Sequence, residues 1–228
     1  MSLLFIAGTG TDIGKTYVTA LLIRTLHETG YAVRALKPVI SGFDPATADT
    51  SDTALLLKAI GDAVNEESIA ATSPWRYAAP LAPNMAARRE GRLVPDFNAI
   101  VSWCKVHGGP IVIEGVGGVM SPLTDDKTVL DWIVGLACPV LLVGGTYLGA
   151  ISHTLTSMAA LRARGVRVAA IVVNDSENSI GLADTIDALR PFVPGCPIVA
   201  LSRAGATEQV RLDQVADLHA VALQCLAD

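Results

Sequence analysis

Short apolar runs alternate along the chain with longer stretches in which apolar residues return at helical spacing. The run 3–7 predicts a first strand. Val18, Leu21, Leu22, Ile23 and Leu26 then recur every three to four positions and predict a helix over 15–29, closed by Gly30 as a C-cap. The same reasoning predicts strands at 32–39, 110–114, 139–144, 168–173 and 198–201. Helices are expected at 51–60, 96–107, 129–136, 151–164, 180–189 and 212–226. This alternation predicts an α/β fold, a mostly parallel central sheet with helices on both faces, in which ligands bind beyond the carboxyl ends of the strands. The exception is 71–95. With Pro74, Pro80, Pro83 and Pro95 it predicts a long ordered loop around a short helix at 84–90.

Composition narrows the picture. A chain of 228 residues suits one domain, 1–228. The mean hydropathy of +0.45 raises the question of a membrane, but no uncharged apolar run approaches the ~18 residues that a span needs. Strands buried on both faces account for the high average, and a subunit interface could add to it. A net charge of -5 argues against nucleic acid as the main partner. The N-terminus lacks a basic segment and a cleavage pattern, so no secretory signal is expected. Cys104, Cys138, Cys196 and Cys225 are scattered, without a paired spacing. They read as packing residues in a reducing cytoplasm, not as a disulfide framework or a zinc site.

The strongest chemical signal is Gly8-Thr9-Gly10-Thr11-Asp12-Ile13-Gly14-Lys15-Thr16, set between the first strand and the first helix. Its glycines let successive N–H groups curl around an anion, and the helix start adds its positive end. Lys15 is placed to reach outer phosphates and Thr16 to ligate Mg²⁺. The strict P-loop spacing puts the first glycine at position 9, which is Thr9, so this loop is one residue longer. Two further segments suit phosphate chemistry. Glu114 ends a strand beside the loop and precedes Gly115, Gly117 and Gly118, whose bare backbones allow close approach of a substrate. Lys37 and Ser41 end the second strand at the same sheet edge, where a cation could stabilise developing charge.

Together these residues resemble the dethiobiotin synthetase family of ATP-dependent cyclo-ligases, a P-loop NTPase-like group. The resemblance covers the lengthened loop, Lys37-Pro38-Val39 with Ser41-Gly42, Ser51-Asp52, Glu114-Gly115 with Gly117-Gly118, Leu148-Gly149 with Ile151 and His153, and Asn174-Asp175. It implies a reaction of 7,8-diaminononanoate, CO₂ and ATP through a carbamate and a carbamic–phosphoric anhydride. It also implies roles. Gly10, Thr11, Asp12, Ile13, Gly14, Lys15, Thr16, Tyr17, Asp52, Glu114 and Asn174 contact the nucleotide, with Asn174 on adenine. Thr16, Asp52 and Glu114 surround Mg²⁺. Lys37, Lys15, Thr11 and Ser41 serve the chemistry, and Gly117 and Gly118 supply room and N–H donors at the substrate. Leu148, Gly149 and Ser152 open a helix that receives the substrate's distal carboxylate from the other subunit of a homodimer. His153 reads as a packing or capping residue.

The chain departs from the family pattern at Gly10, where Asp is frequent, at Asp12 for Glu, at Asn84 for His and at Ser152 for Asn; 197–203 lacks the usual Gly-x-x-Pro. Three other readings stay open: a partition- or septum-type ATPase switch, an amide ligase of the cobyrinic acid diamide synthase type, and a nucleotide-binding module without ligase activity. Against the first, Gly10 stands where that group carries its signature lysine. The second needs a glutaminase domain for which 228 residues leave no room.

Overall fold

The computed structural model describes residues 2–202 and 208–227. Its centre is a parallel six-stranded sheet in the order β2-β5-β1-β6-β7-β8. The strands are β1 (Leu3–Gly8), β2 (Arg34–Leu36), β5 (Ile111–Glu114), β6 (Val140–Gly144), β7 (Val168–Asn174) and β8 (Ile198–Leu201). All six residues of β1 are buried, and the strand lies between β5 and β6, with Ile6 opposite Glu114 and Gly8 opposite Val143.

Side chains along a strand alternate between faces, so each strand feeds two cores. Leu4 and Ile6 pack with Val18, Leu22 and Leu26 of α1 (Lys15–Glu28), Leu56 of α2 (Asp52–Ile60) and Leu218 of α9 (Glu208–Leu226). Leu3, Phe5 and Ala7 pack in the opposite layer. There they join Ile100 of α5 (Phe97–Lys105), Trp132 of α6 (Val129–Leu136), Met158 of α7 (Ala150–Ala163) and Leu189 of α8 (Leu182–Leu189). Helices on both faces are what the apolar pattern predicts. Among the described residues no helix is long and apolar enough to cross a membrane.

The second predicted strand is two strands. Residues 32–39 divide at Lys37-Pro38, because Pro38 has no N–H with which to continue the ladder to β5. The Pro38 carbonyl instead accepts from Trp75 N–H, and Lys37 N–H donates to Thr72. The chain leaves the main sheet as β3 (Val39–Ser41) and pairs in parallel with β4 (Trp75–Tyr77), Ser41 opposite Tyr77. The region 71–95 is therefore not one loop. It holds the end of α3 (Glu66–Thr72), β4 and α4 (Pro83–Arg89). Pro83 opens α4 at a position where a missing N–H costs nothing. Cys104, Cys138 and Cys225 are buried, Cys196 is half-buried, and none of the four is in a disulfide.

Candidate functional site

The loop after β1 owes its shape to the residues around it. A Cβ on Gly8 would lie 2.8 Å from Lys15 Cδ and 2.9 Å from Ile13 Cδ1. This is why the leading glycine stands at position 8. Gly14 holds φ at +86° and caps α1, and any side chain there would collide with the amide of Asn174. Asn174 ends β7 and donates to Ile13 O at 3.1 Å. Asp12 adopts φ +56°, a left-handed conformation that a short polar side chain tolerates. Gly10, by contrast, has open space where its Cβ would be.

Lys15 is buried and donates to Gly10 O at 2.8 Å. Burial, helped by the charge of nearby Lys37, lowers its pKa to about 8. Thr16 Oγ1 donates to Glu114 Oε1 at 2.7 Å. Lys37, 3% exposed, is ion-paired to Glu114 and to Asp52, the latter at 3.0 Å, and reaches Gly115 O at 3.3 Å. Burial opposes its charge, but the two carboxylates outweigh that and raise its pKa. Asp52 opens α2 behind Ser51, whose hydroxyl accepts from Ala54 N–H. Burial disfavours its ionisation too, yet Lys37 holds its carboxyl below the usual range. Glu114 is fully buried, and its Oε2 has no hydrogen-bond partner.

These groups share one cavity of about 810 Å³. Thr11, Asp12, Gly14, Lys15 and Thr16 line it from the loop, with Lys37, Ser41, Asp52, Glu114 and Gly117 around them. Ile40, Leu81, Pro83 and Val116 add apolar surface to its lining. Ser41 Oγ is buried without a partner. Ile13 is packed in the core beneath the loop, and Tyr17, 55% exposed, stands outside the lining.

Some expected roles change. Gly118 N–H is not a free donor, because it already donates to Ser121 Oγ at 2.8 Å. Gly118 instead gives clearance, since a Cβ there would meet Thr9 O at 3.2 Å. Gly117, at φ +63°, gives clearance against Ser121. Leu148, Gly149 and Ser152 sit at the start of α7, Leu148 86% exposed, and none of them lines the main cavity. His153 is not packed in the core. It is exposed, contacts Tyr147 OH through Nδ1 at 2.8 Å, and borders a second cleft with Thr9 and Gly118. Asn84, half-buried at the start of α4, accepts from Met85 N–H. Arg203, which ends the 197–203 segment, lies outside the described residues. Sequence reasoning missed Ser121 and the wall at Pro80–Pro83; only the clustered prolines signalled the latter.

The AAA domain family matches residues 2–210. The chain is 50% identical over 207 residues to an ATP-dependent dethiobiotin synthetase BioD of Caulobacter sp. (strain K31), covering 89% of each chain. It is 46% identical over 225 residues to the enzyme of that name from Methylobacterium nodulans, covering 94% of this chain and 99% of the relative. Among solved structures it resembles the MinC:MinD cell division protein complex of Aquifex aeolicus, with a TM-score of 0.56 at 12% identity, covering 100% of this chain and 97% of that one. That likeness concerns the fold alone. A lengthened phosphate loop, a buried lysine between two carboxylates and these relatives all agree: the chain belongs to the ATP-dependent dethiobiotin synthetase family.

Proposed function

We propose that residues 1–228 act as one ligase domain that converts 7,8-diaminononanoate, CO₂ and ATP to dethiobiotin, ADP and phosphate. The observation that carries the reading is the cavity itself. Its lining combines Lys15, Thr16 and Lys37, suited to phosphates, with Ile40, Leu81 and Val116, suited to an alkyl chain. One amine attacks CO₂ and loses a proton, giving a carbamate. A carbamate oxygen attacks the γ-phosphorus and ADP leaves. The second amine attacks the carbonyl, closes the ureido ring and expels phosphate with loss of a proton.

The chain's own residues act mainly by position and charge. Lys15 exchanges the Gly10 carbonyl for the outer phosphates, and the start of α1 faces the same anion. Lys37 is already charged and held by Glu114 and Asp52, so a carbamate oxygen and the γ-phosphate meet a fixed cation. The hydroxyls of Thr11 and Ser41 donate near the reacting end. Thr16, Asp52 and Glu114 would hold Mg²⁺: their oxygens are the hard donors it favours, and Glu114 Oε2 is a buried carboxylate oxygen with no other partner. When bound, the ion neutralises charge on the triphosphate. Asn174 contacts the base. The substrate's carboxylate goes to the start of α7, at Leu148, Gly149 and Ser152 of a second copy, which makes the working form a homodimer. Cysteines outside any disulfide and a net charge of -5 suit a cytoplasmic enzyme without nucleic-acid or membrane partners. The test is phosphate release by the purified protein. It must depend on diamine, bicarbonate and ATP together, and release indifferent to the diamine sinks the assignment.

A further inference from the structure

The cavity wall at Pro80–Pro83 is held from behind. Ala79 N–H, directly before the wall, donates to Glu90 Oε1 at 3.0 Å. Ala79 O in turn accepts from Gly42 N–H at 3.3 Å, next to Ser41, and from Leu81 N–H at 2.9 Å within the wall. Two residues past Glu90, Arg92 donates to the Arg76 carbonyl, and its guanidinium lies over the Tyr77 ring at 4.8 Å from the centroid. Tyr77 is the strand partner of Ser41. Glu90 and Arg92 also face each other at 3.5 Å. Neither residue lines the main cavity; both line a separate cleft of about 360 Å³. The chain thus leaves β4, forms the wall, runs through α4 and returns to fasten β4 and the residue that leads into the wall.

We infer that Glu90 and Arg92 are positioning residues that clamp the Pro80–Pro83 wall and the Ser41 strand against each other, and so fix the apolar surface of the cavity for the diamine. The inference rests on the substrate reading above only for what fills the cavity; the clamp itself stands on the hydrogen bonds. A carboxylate accepting a backbone N–H is a charge-assisted bond, stronger than a neutral one. With it gone, Ala79 N–H loses its partner, and the entry to the wall is held only by the Ala79 carbonyl and by Arg92 behind β4. The loss is felt where the alkyl chain packs, not at the phosphates.

The test uses the full chain with Glu90→Ala, Glu90→Gln and Arg92→Lys. Glutamine keeps an acceptor oxygen for Ala79; lysine keeps the charge at 92 but loses the flat stack on Tyr77. In Glu90→Ala, hydrogen–deuterium exchange should quicken in the segment 77–83 of the unliganded protein. KM for the diamine should rise roughly ten-fold, with kcat and ATP affinity within about two-fold of the parent. Glu90→Gln should return both readouts close to the parent. Should Glu90→Ala fail to fold, Arg92→Lys carries the same expectations. Unchanged exchange in 77–83 overturns the clamp. So does an unchanged KM in a folded variant, or a rise in KM accompanied by comparable losses of kcat and ATP affinity. A parent protein with no diamine-dependent turnover would instead count against the substrate reading, and the exchange measurement alone would then judge the clamp.

Discussion

Replacing Lys37 by alanine separates two things the residue does. Lys37 is 3% exposed and neutralises Glu114, which is fully buried, together with Asp52, whose side chain is 42% exposed. Removing it leaves buried Glu114 without its ion-pair partner, while Asp52 still reaches water. Breaking a buried pair from one side costs about 3–5 kcal/mol, out of a total stability of roughly 5–15 kcal/mol. For a chain of this size that lowers the melting temperature by about 6–20 °C. Below that temperature the folded variant should bind ATP within a few-fold of the parent, because Lys15 and the loop are intact. Turnover should still fall by roughly 100- to 1,000-fold, the usual effect of losing a preorganised charge. The control is Lys37→Met combined with Glu114→Gln, which removes both charges. It should recover most of the lost stability and none of the turnover. The assays are a thermal melt, an ATP titration and phosphate release. A single variant that melts with the parent refutes the buried-pair argument. Loss of ATP binding refutes the role given to Lys37. Recovery of turnover in the double variant would mean that the single variant's defect was one of folding.

Further outcomes follow from the geometry. Gly8→Ala should abolish ATP binding, because its Cβ would press on Lys15 and Ile13, whereas Gly10→Ala, with open space, should leave ATP affinity within about three-fold in the same titration. In the α6 capping box, Asp131 accepts from Thr128 N–H and hydroxyl and from Arg164. Burial opposes its ionisation, but those donors hold its pKa below 3.8. Its contribution is therefore present above the unfolded value and lost as pH falls through the folded one. Asp131→Ala should be less stable by about 1 kcal/mol at neutral pH, with the gap closing in acid denaturation profiles. Burial pushes the thiols of Cys104 and Cys138 up to about 12, so both should resist alkylation in the native protein at mildly alkaline pH and react once it is unfolded, as read by mass spectrometry.

Much of this was legible from residue pattern, for physical reasons. Strands of a doubly covered sheet must be apolar on both faces, so β1, β5, β6, β7 and β8 announce themselves. The glycine loop is readable because Gly8 and Gly14 answer local backbone needs. Pro38 was visible, but not its consequence: whether a proline merely ends a ladder or redirects the chain depends on whether a partner such as β4 exists. That partner, Trp75–Tyr77, is three residues long and lies among prolines, with no alternation to detect. The contact of Thr16 with Glu114 joins residues 98 apart and follows from motif order, not from spacing. Ser121 satisfying Gly118, and Glu90 reaching back to Ala79, are tertiary hydrogen bonds with no periodic signature. The helical start at α7 is legible from its residue pattern, whereas the absence of Leu148, Gly149 and Ser152 from the main cavity's lining is not.

The most direct test of the central claim supplies carbon-13-labelled bicarbonate, 7,8-diaminononanoate and ATP to the purified protein and weighs the product. The account predicts dethiobiotin heavier by one mass unit than its unlabelled counterpart, with one phosphate released for each molecule formed. Phosphate released without label in a ring-closed product, or no product at all, would contradict it.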